Sequence, residues 1–124
     1  APLTNLGNQT ILDHKTGLIW QQQTDNTLRT WEDAITYCEG LSLAAKTDWR
    51  LPNIKELESI TDDSRSEPSI DTNAFPGDNT KNFWSSTTVV SYTQNAWRVY
   101  FQVGDVSSNP KLNTCYVRCV RAGR

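Results

Sequence analysis

Hydrophobic and polar positions along the chain change period several times, and each change marks an element. In "ILDHKTGLIWQQ", residues 11–22, two short apolar runs flank a Lys-Thr-Gly turn, which predicts a β-hairpin. Thr30 then offers a helix cap with Asp33 three residues on. Trp31, Ala34, Ile35, Cys38 and Leu41 follow at helical spacing and predict a helix over roughly 31–43. A second, shorter helix is expected after Pro52 and Asn53, with Asn53 as cap, Glu56 at the third position and Ile54, Leu57 and Ile60 on one face.

From Thr61 to Lys81 the composition turns to Asp, Ser, Pro, Asn and Gly, which predicts a long loop. Beyond it the period is two. Trp97, Val99, Phe101 and Val103 alternate with Arg98, Tyr100 and Gln102, a turn is expected at Gly104 and Asp105, and "CYVRCVR" at 115–121 alternates in the same way. Two helices followed by strands and long loops make an α+β domain. With 124 residues the chain is the size of one domain, 1–124, and holds one modest core. Only 36% of residues are hydrophobic, so five tryptophans, four tyrosines and three phenylalanines must supply much of the buried area. No apolar run approaches the roughly 18 residues needed to span a bilayer.

Charge sharpens the picture. Residues 1–78 carry six Lys and Arg against thirteen Asp and Glu, a charge of −7. Residues 79–124 carry six against one, +5, and the two halves return the net −2. A basic face for an anionic partner is one expectation, and interleaving of the two halves is the other. The cations of the second half are Lys81, Arg98, Lys111, Arg118, Arg121 and Arg124. They form the candidate ligand-binding set, with Tyr92, Tyr100 and Tyr116 available to stack on sugar rings.

Catalytic and metal patterns are weak. His14 is the one histidine and sits beside the hairpin turn. Ser85 and Ser86 lack a Gly-x-Ser-x-Gly elbow, and no glycine-rich phosphate loop occurs. Cys115 and Cys119 have neither redox nor zinc spacing. No enzyme activity, cofactor or metal site is therefore assigned. Asp62, Asp63, Glu67, Asp71 and Asp78 are hard oxygen donors, but they lack EF-hand spacing and read as a solvated loop.

Three cysteines cannot all pair within the chain. Cys115 and Cys119 in one strand stand about 13 Å apart, beyond disulfide reach, so any internal bridge has Cys38 at one end. A bridge from Cys38 to Cys119 would close a loop of about 80 residues and imply an oxidising compartment. Three reduced thiols are the alternative. In "DWRLPNIKEL", residues 48–57, Trp49 and Leu51 read as core anchors, Pro52 and Asn53 as a helix start, and Asp48 and Arg50 as partners for charge-assisted hydrogen bonds.

Several of these blocks stand together in one known family. "TGLIWQ" at 16–21, "WEDAITYCEGL" at 31–41, "DWRLPNIKEL", "FWSST" at 83–87, "AWRVYF" at 96–101 and "YVRCVR" at 116–121 closely resemble the C-terminal domain of the Legionella collagen-like protein and its bacterial family. The resemblance covers nearly the whole chain. It implies a C-type-lectin-like fold, two helices packed on a small twisted antiparallel sheet with long loops, and a disulfide between Cys38 and Cys119. It also implies a secreted or cell-surface module that adheres to sulfated polysaccharides such as glycosaminoglycans, as a homotrimer. Nucleic acid, which an exported domain rarely meets, is not expected as a partner, and the short apolar runs give no expectation of membrane insertion. A trimerising or receptor-binding domain with no glycan role is the alternative. The calcium-and-sugar motifs Glu-Pro-Asn and Trp-Asn-Asp are replaced by "EPS" at 67–69 and "FWSS" at 83–86, so calcium-dependent sugar binding is not implied.

Overall fold

The computed structural model describes residues 3–62, 69–72, 74–75 and 81–122. Its elements run β1 (Leu3–Asn5), β2 (Thr10–Asp13), β3 (Leu18–Gln21), α1 (Trp31–Glu39), α2 (Ile54–Glu58), β4 (Asn82–Thr88), β5 (Asn95–Tyr100), β6 (Asp105–Pro110) and β7 (Val120–Ala122). The fold is α+β, as the patterning predicts. Its strands divide into two antiparallel sheets, ordered β1-β2-β3-β7 and β4-β5-β6, where one small sheet was expected. The first and last strands share the first sheet.

Local chemistry accounts for the elements that were anticipated. Gly17, at φ +75°, turns the β2–β3 hairpin, and its amide donates to the Asp13 carbonyl at 2.8 Å. Thr30 caps α1 by accepting from the Asp33 amide. At α2 the capping box is complete. Asn53 Oδ1 accepts from the Glu56 amide at 2.8 Å, and Glu56 Oε1 accepts from the Asn53 amide at 3.0 Å.

Two boundaries differ from the sequence reading. Helix α1 stops at Glu39 rather than near 43: Gly40 is its C-cap, with its amide donating to the Thr36 carbonyl at 3.0 Å, and Leu43 and Lys46 then pair across a two-residue turn in which Ala44 and Ala45 both have positive φ. Left-handed backbone costs an alanine about 1 kcal/mol, so nothing in Ala-Ala announces such a turn. Strand β5 ends at Tyr100, not Val103. Residues 101–104 form the turn, Gly104 at φ +75° closes it onto the Tyr100 carbonyl, and Val103 is exposed.

Two hydrophobic clusters make the core. One gathers Ile11, Trp20, Leu57, Ile70, Phe75, Phe83, Val99, Phe101 and Val120. The other gathers Ala34, Cys38, Trp49, Leu51, Trp84, Ala96, Cys115, Val117 and Cys119. Residues 115–121 run between them. Cys115, Val117 and Cys119 face the second cluster, while Tyr116 and Val120 pack on the first. The period of two is real, yet neither side is open to water.

"DWRLPN" ties these parts together. Arg50 exchanges backbone hydrogen bonds with Val120, both at 2.9 Å, and the Pro52 carbonyl accepts from the Ser86 amide at 2.7 Å. The Thr87 hydroxyl accepts from the Ile54 amide at 2.9 Å. One stretch thereby contacts β7, β4 and α2. Cys38 of α1 is joined to Cys119, with Cα atoms 5.5 Å apart and a sequence separation of 81.

Closing a loop of that length removes conformational entropy from the unfolded chain. The double variant Cys38→Ala, Cys119→Ala is expected to lose about 4 kcal/mol of stability in urea unfolding, relative to the oxidised protein.

Candidate functional site

The six candidate cations have different fates. Lys81 is exposed just before β4. Arg98 is largely covered: its Nε donates to Asn109 Oδ1 at 3.3 Å, and its Nη1 lies 3.6 Å from Asp105, an ion pair too long for a hydrogen bond. Arg124 lies outside the described residues.

Arg118 and Arg121, included in the candidate set as cations of the basic half, are instead buried, 1% and 6% exposed. Arg118 occupies the cluster-facing side of residues 115–121, with its guanidinium over the rings of Phe75 and Phe83, 4.7 and 5.6 Å from their centroids. It donates to the backbone carbonyls of Gln21, at 2.8 Å, and Gln22. Burial pushes its pKa down to about 9, which still leaves it charged at neutral pH. Arg121 forms a two-pronged pair with Asp48 at 2.7 and 3.1 Å. These two arginines hold the fold, and the broad basic face does not form from the set.

Lys111 is different. Its ammonium stands 4.0 Å from the centroid of the Trp31 ring. Its backbone is held on both sides: the amide donates to the Gln94 carbonyl at 2.9 Å, and the carbonyl accepts from the Trp31 amide at 3.1 Å. The Trp31 indole is fixed in turn, Nε1 donating to the Ser85 carbonyl at 2.9 Å. Lys111 therefore joins the end of β6, the 89–94 loop and the start of α1.

Beside it lies a depression of about 380 Å³ lined by Tyr92, Gln94, Asn95, Pro110, Lys111 and Leu112. Its apolar rim is exposed, Tyr92 at 57% and Leu112 at 89%, with Val90 of the same loop at 92%. The loop is tight, since the Tyr92 amide donates to the Val89 carbonyl and the Asn95 amide to the Tyr92 carbonyl. A cation, an exposed phenol and an aliphatic rim on a fixed backbone can meet an anionic group and an apolar ring face together.

Of this surface, sequence reasoning named Lys111 and Tyr92. It missed Leu112 and Gln94, which carry no periodic signal in their loops, and it read Trp31 only as a helix residue. The other two tyrosines point elsewhere: Tyr116 packs edge-on against Phe83 at 5.8 Å, and Tyr100 is half-buried.

Residues with reactive side chains have structural partners. The Ser85 hydroxyl donates to the Trp97 carbonyl at 2.7 Å, and His14 Nε2 lies 2.6 Å from Thr4 Oγ1. Burial raises the Cys115 thiol to about 11, and its Sγ accepts from Asn109 Nδ2 at 3.4 Å. Asp63, Glu67 and Asp78 of the acidic loop lie outside the described residues. Among the described residues no three of His, Cys, Asp and Glu gather as a metal site.

Carboxylates of the acidic half pair discretely, two with arginines of that same half and Asp48 with Arg121 of the basic half. Hydrogen bonding to Arg29 lowers the Asp25 pKa, Arg121 does the same for Asp48, and Arg50 for Glu56. Asp48 and Arg50 thus bond to Arg121 and Glu56 rather than to each other. A carboxylate whose folded pKa is depressed contributes stability above its unfolded pKa and loses it as pH falls through the lower folded value. The urea midpoint should be level from neutral pH down to about pH 5 and fall below roughly pH 4, and Glu56→Gln should flatten that fall. Arg118→Ala should cost roughly 3 kcal/mol in the same assay, by leaving the carbonyls of Gln21 and Gln22 without their charged donor. Lys81→Ala should change stability by less than about 0.5 kcal/mol.

A family model described as the Lcl C-terminal domain matches residues 9–121, and the chain belongs to that family. Comparison with curated proteins gives no match.

Proposed function

We propose that this member of the Lcl C-terminal domain family is a non-catalytic adhesion module of C-type-lectin-like architecture, carried by a secreted or cell-surface protein, that binds sulfated polysaccharides through the Lys111 surface. The observation carrying this reading is the fixed pairing of Lys111 with Trp31 beside an open depression rimmed by Tyr92 and Leu112. A sulfate or carboxylate of a polysaccharide meets the ammonium, and the sugar ring lies along the rim. The Cys38–Cys119 bridge supports an oxidising, extracellular setting. Helices against antiparallel sheets, shared placement of the first and last strands, and a helix-to-last-segment disulfide support the lectin-like architecture. Structural use of Ser85 and the buried, protonated Cys115 support a role without chemistry.

A single half-buried cation binds a polyanion weakly. Assembly as a homotrimer presents three copies and raises the avidity. A second reading rests on the same surface: Val90, Tyr92 and Leu112 form an exposed apolar group of the kind that mediates protein contacts, either between copies in a trimerising cap or with a receptor.

Immobilised heparin separates the two. The adhesin reading expects retention at low ionic strength that is lost with added salt, and earlier elution of Lys111→Ala than of Arg98→Ala, whose guanidinium is already engaged. Absence of retention at low salt overturns it. A trimeric mass in light scattering that becomes monomeric in Leu112→Ser then favours the second reading.

A further inference from the structure

We infer that a second cleft, remote in chemistry from the Lys111 surface, binds an uncharged sugar residue through glutamine side chains. The cleft, of about 310 Å³, is lined by Gln9, Gln21, Gln22, Gln23, Thr24 and Asp25, with Leu43 as its apolar wall. Gln21 is committed to the fold, since its Oε1 accepts from the Cys119 amide at 2.9 Å and its Nε2 donates to Tyr37 at 3.0 Å. Among the described residues the carboxamides of Gln9, Gln22 and Gln23 make no hydrogen bond, although each lines the cleft. Every one offers two donors and an acceptor in a plane, a match for adjacent sugar hydroxyls.

The charge of the cleft is near neutral. Asp25 is its one charged wall residue, and Arg29 holds that carboxylate with two hydrogen bonds at 3.0 and 2.6 Å. An anionic sugar gains nothing here. Leu43 offers an apolar surface to the C–H face of a sugar ring.

The walls are fixed before any ligand arrives. Arg118 holds the Gln21 and Gln22 carbonyls from beneath, and the Gln22 amide donates to the Gln9 carbonyl at 3.0 Å. Among the described residues, the non-glycine positions with positive φ are Gln9, Asn26, Ala44 and Ala45. Gln9 lines the cleft, Asn26 follows Asp25, and Ala44 and Ala45 follow Leu43. Of these only Gln9 lines the cleft itself, so its left-handed backbone sets that wall, while Ala44 and Ala45 make the turn between Leu43 and Lys46.

Side-chain amide resonances of the isotopically labelled protein report on the inference directly. Methyl α-glucoside, methyl β-galactoside and methyl α-mannoside are added separately at millimolar concentrations. At least one is expected to shift the Gln9, Gln22 and Gln23 signals saturably, with an affinity unchanged by molar salt. Gln23→Ala, at an exposed position, is expected to weaken binding about tenfold, the loss of a pair of hydrogen bonds, with an unchanged melting temperature. Gln9→Asn, which keeps the left-handed backbone and shortens the reach, should weaken it as well. No saturable shift with any glycoside, shifts confined to Tyr92 and Lys111, or full affinity in both variants overturns the inference. So does response of the same amides to N-acetyl-alanine methylamide alone, which identifies a peptide cleft. Heparin retention is independent of all these outcomes, so failure here leaves the Lys111 reading standing.

Discussion

Residues 115–121 pass between two hydrophobic clusters, and every polar group on that strip must find protein rather than water. The fold is arranged around this requirement. Arg118 is the most demanding group, a charge at 1% exposure, and its guanidinium is answered by two backbone carbonyls of the β3 end and two aromatic faces. Cys119 supplies the covalent link to α1, Val120 pairs with Arg50, and Arg121 reaches Asp48. The two DWRLPN contacts and the disulfide all end on the same seven residues. Loss of the strip would separate both sheets and both helices at once.

This arrangement decides where binding surfaces can be. Cations that hold the interior are unavailable to a polyanion, so exposed recognition falls to the loop ends, where Lys111 stands over Trp31. Arg118 still contributes from below. By fixing the carbonyls of Gln21 and Gln22 it sets the backbone beneath the glutamine cleft, so a buried charge supports an uncharged surface.

Much of this was legible in the sequence, for identifiable reasons. The hairpin at 11–22, the Thr30 and Asn53 caps and the Trp49 and Leu51 anchors rest on local chemistry that acts within a few residues. The Cys38–Cys119 bridge was available from family resemblance, and spacing alone required only that Cys38 take part. Arg118 and Arg121 were misplaced because a charge count reports the sign of a segment, not which of its cations are wet. The strip has an apolar neighbour on one side and an aromatic cage on the other. The α1 boundary failed because the apolar spacing runs on to Leu41, past Gly40, the residue that caps the helix. Leu112 carries no periodic signal, and the run Gln21–Gln23 gives no sign in sequence that Gln9 and Leu43 close a cleft beside it.

The unpaired Cys115 carries one further consequence, for the order of events during maturation. Only a thiolate attacks a disulfide, and a thiol raised to about 11 is ionised in roughly one molecule in ten thousand at neutral pH. It is also sealed at 1% exposure, in the same cluster as both bridged sulfurs. Exchange between this thiol and the cross-link is therefore slow in the native domain. Pairing of Cys38 with Cys119 rather than Cys115 is thus set before the domain closes around them.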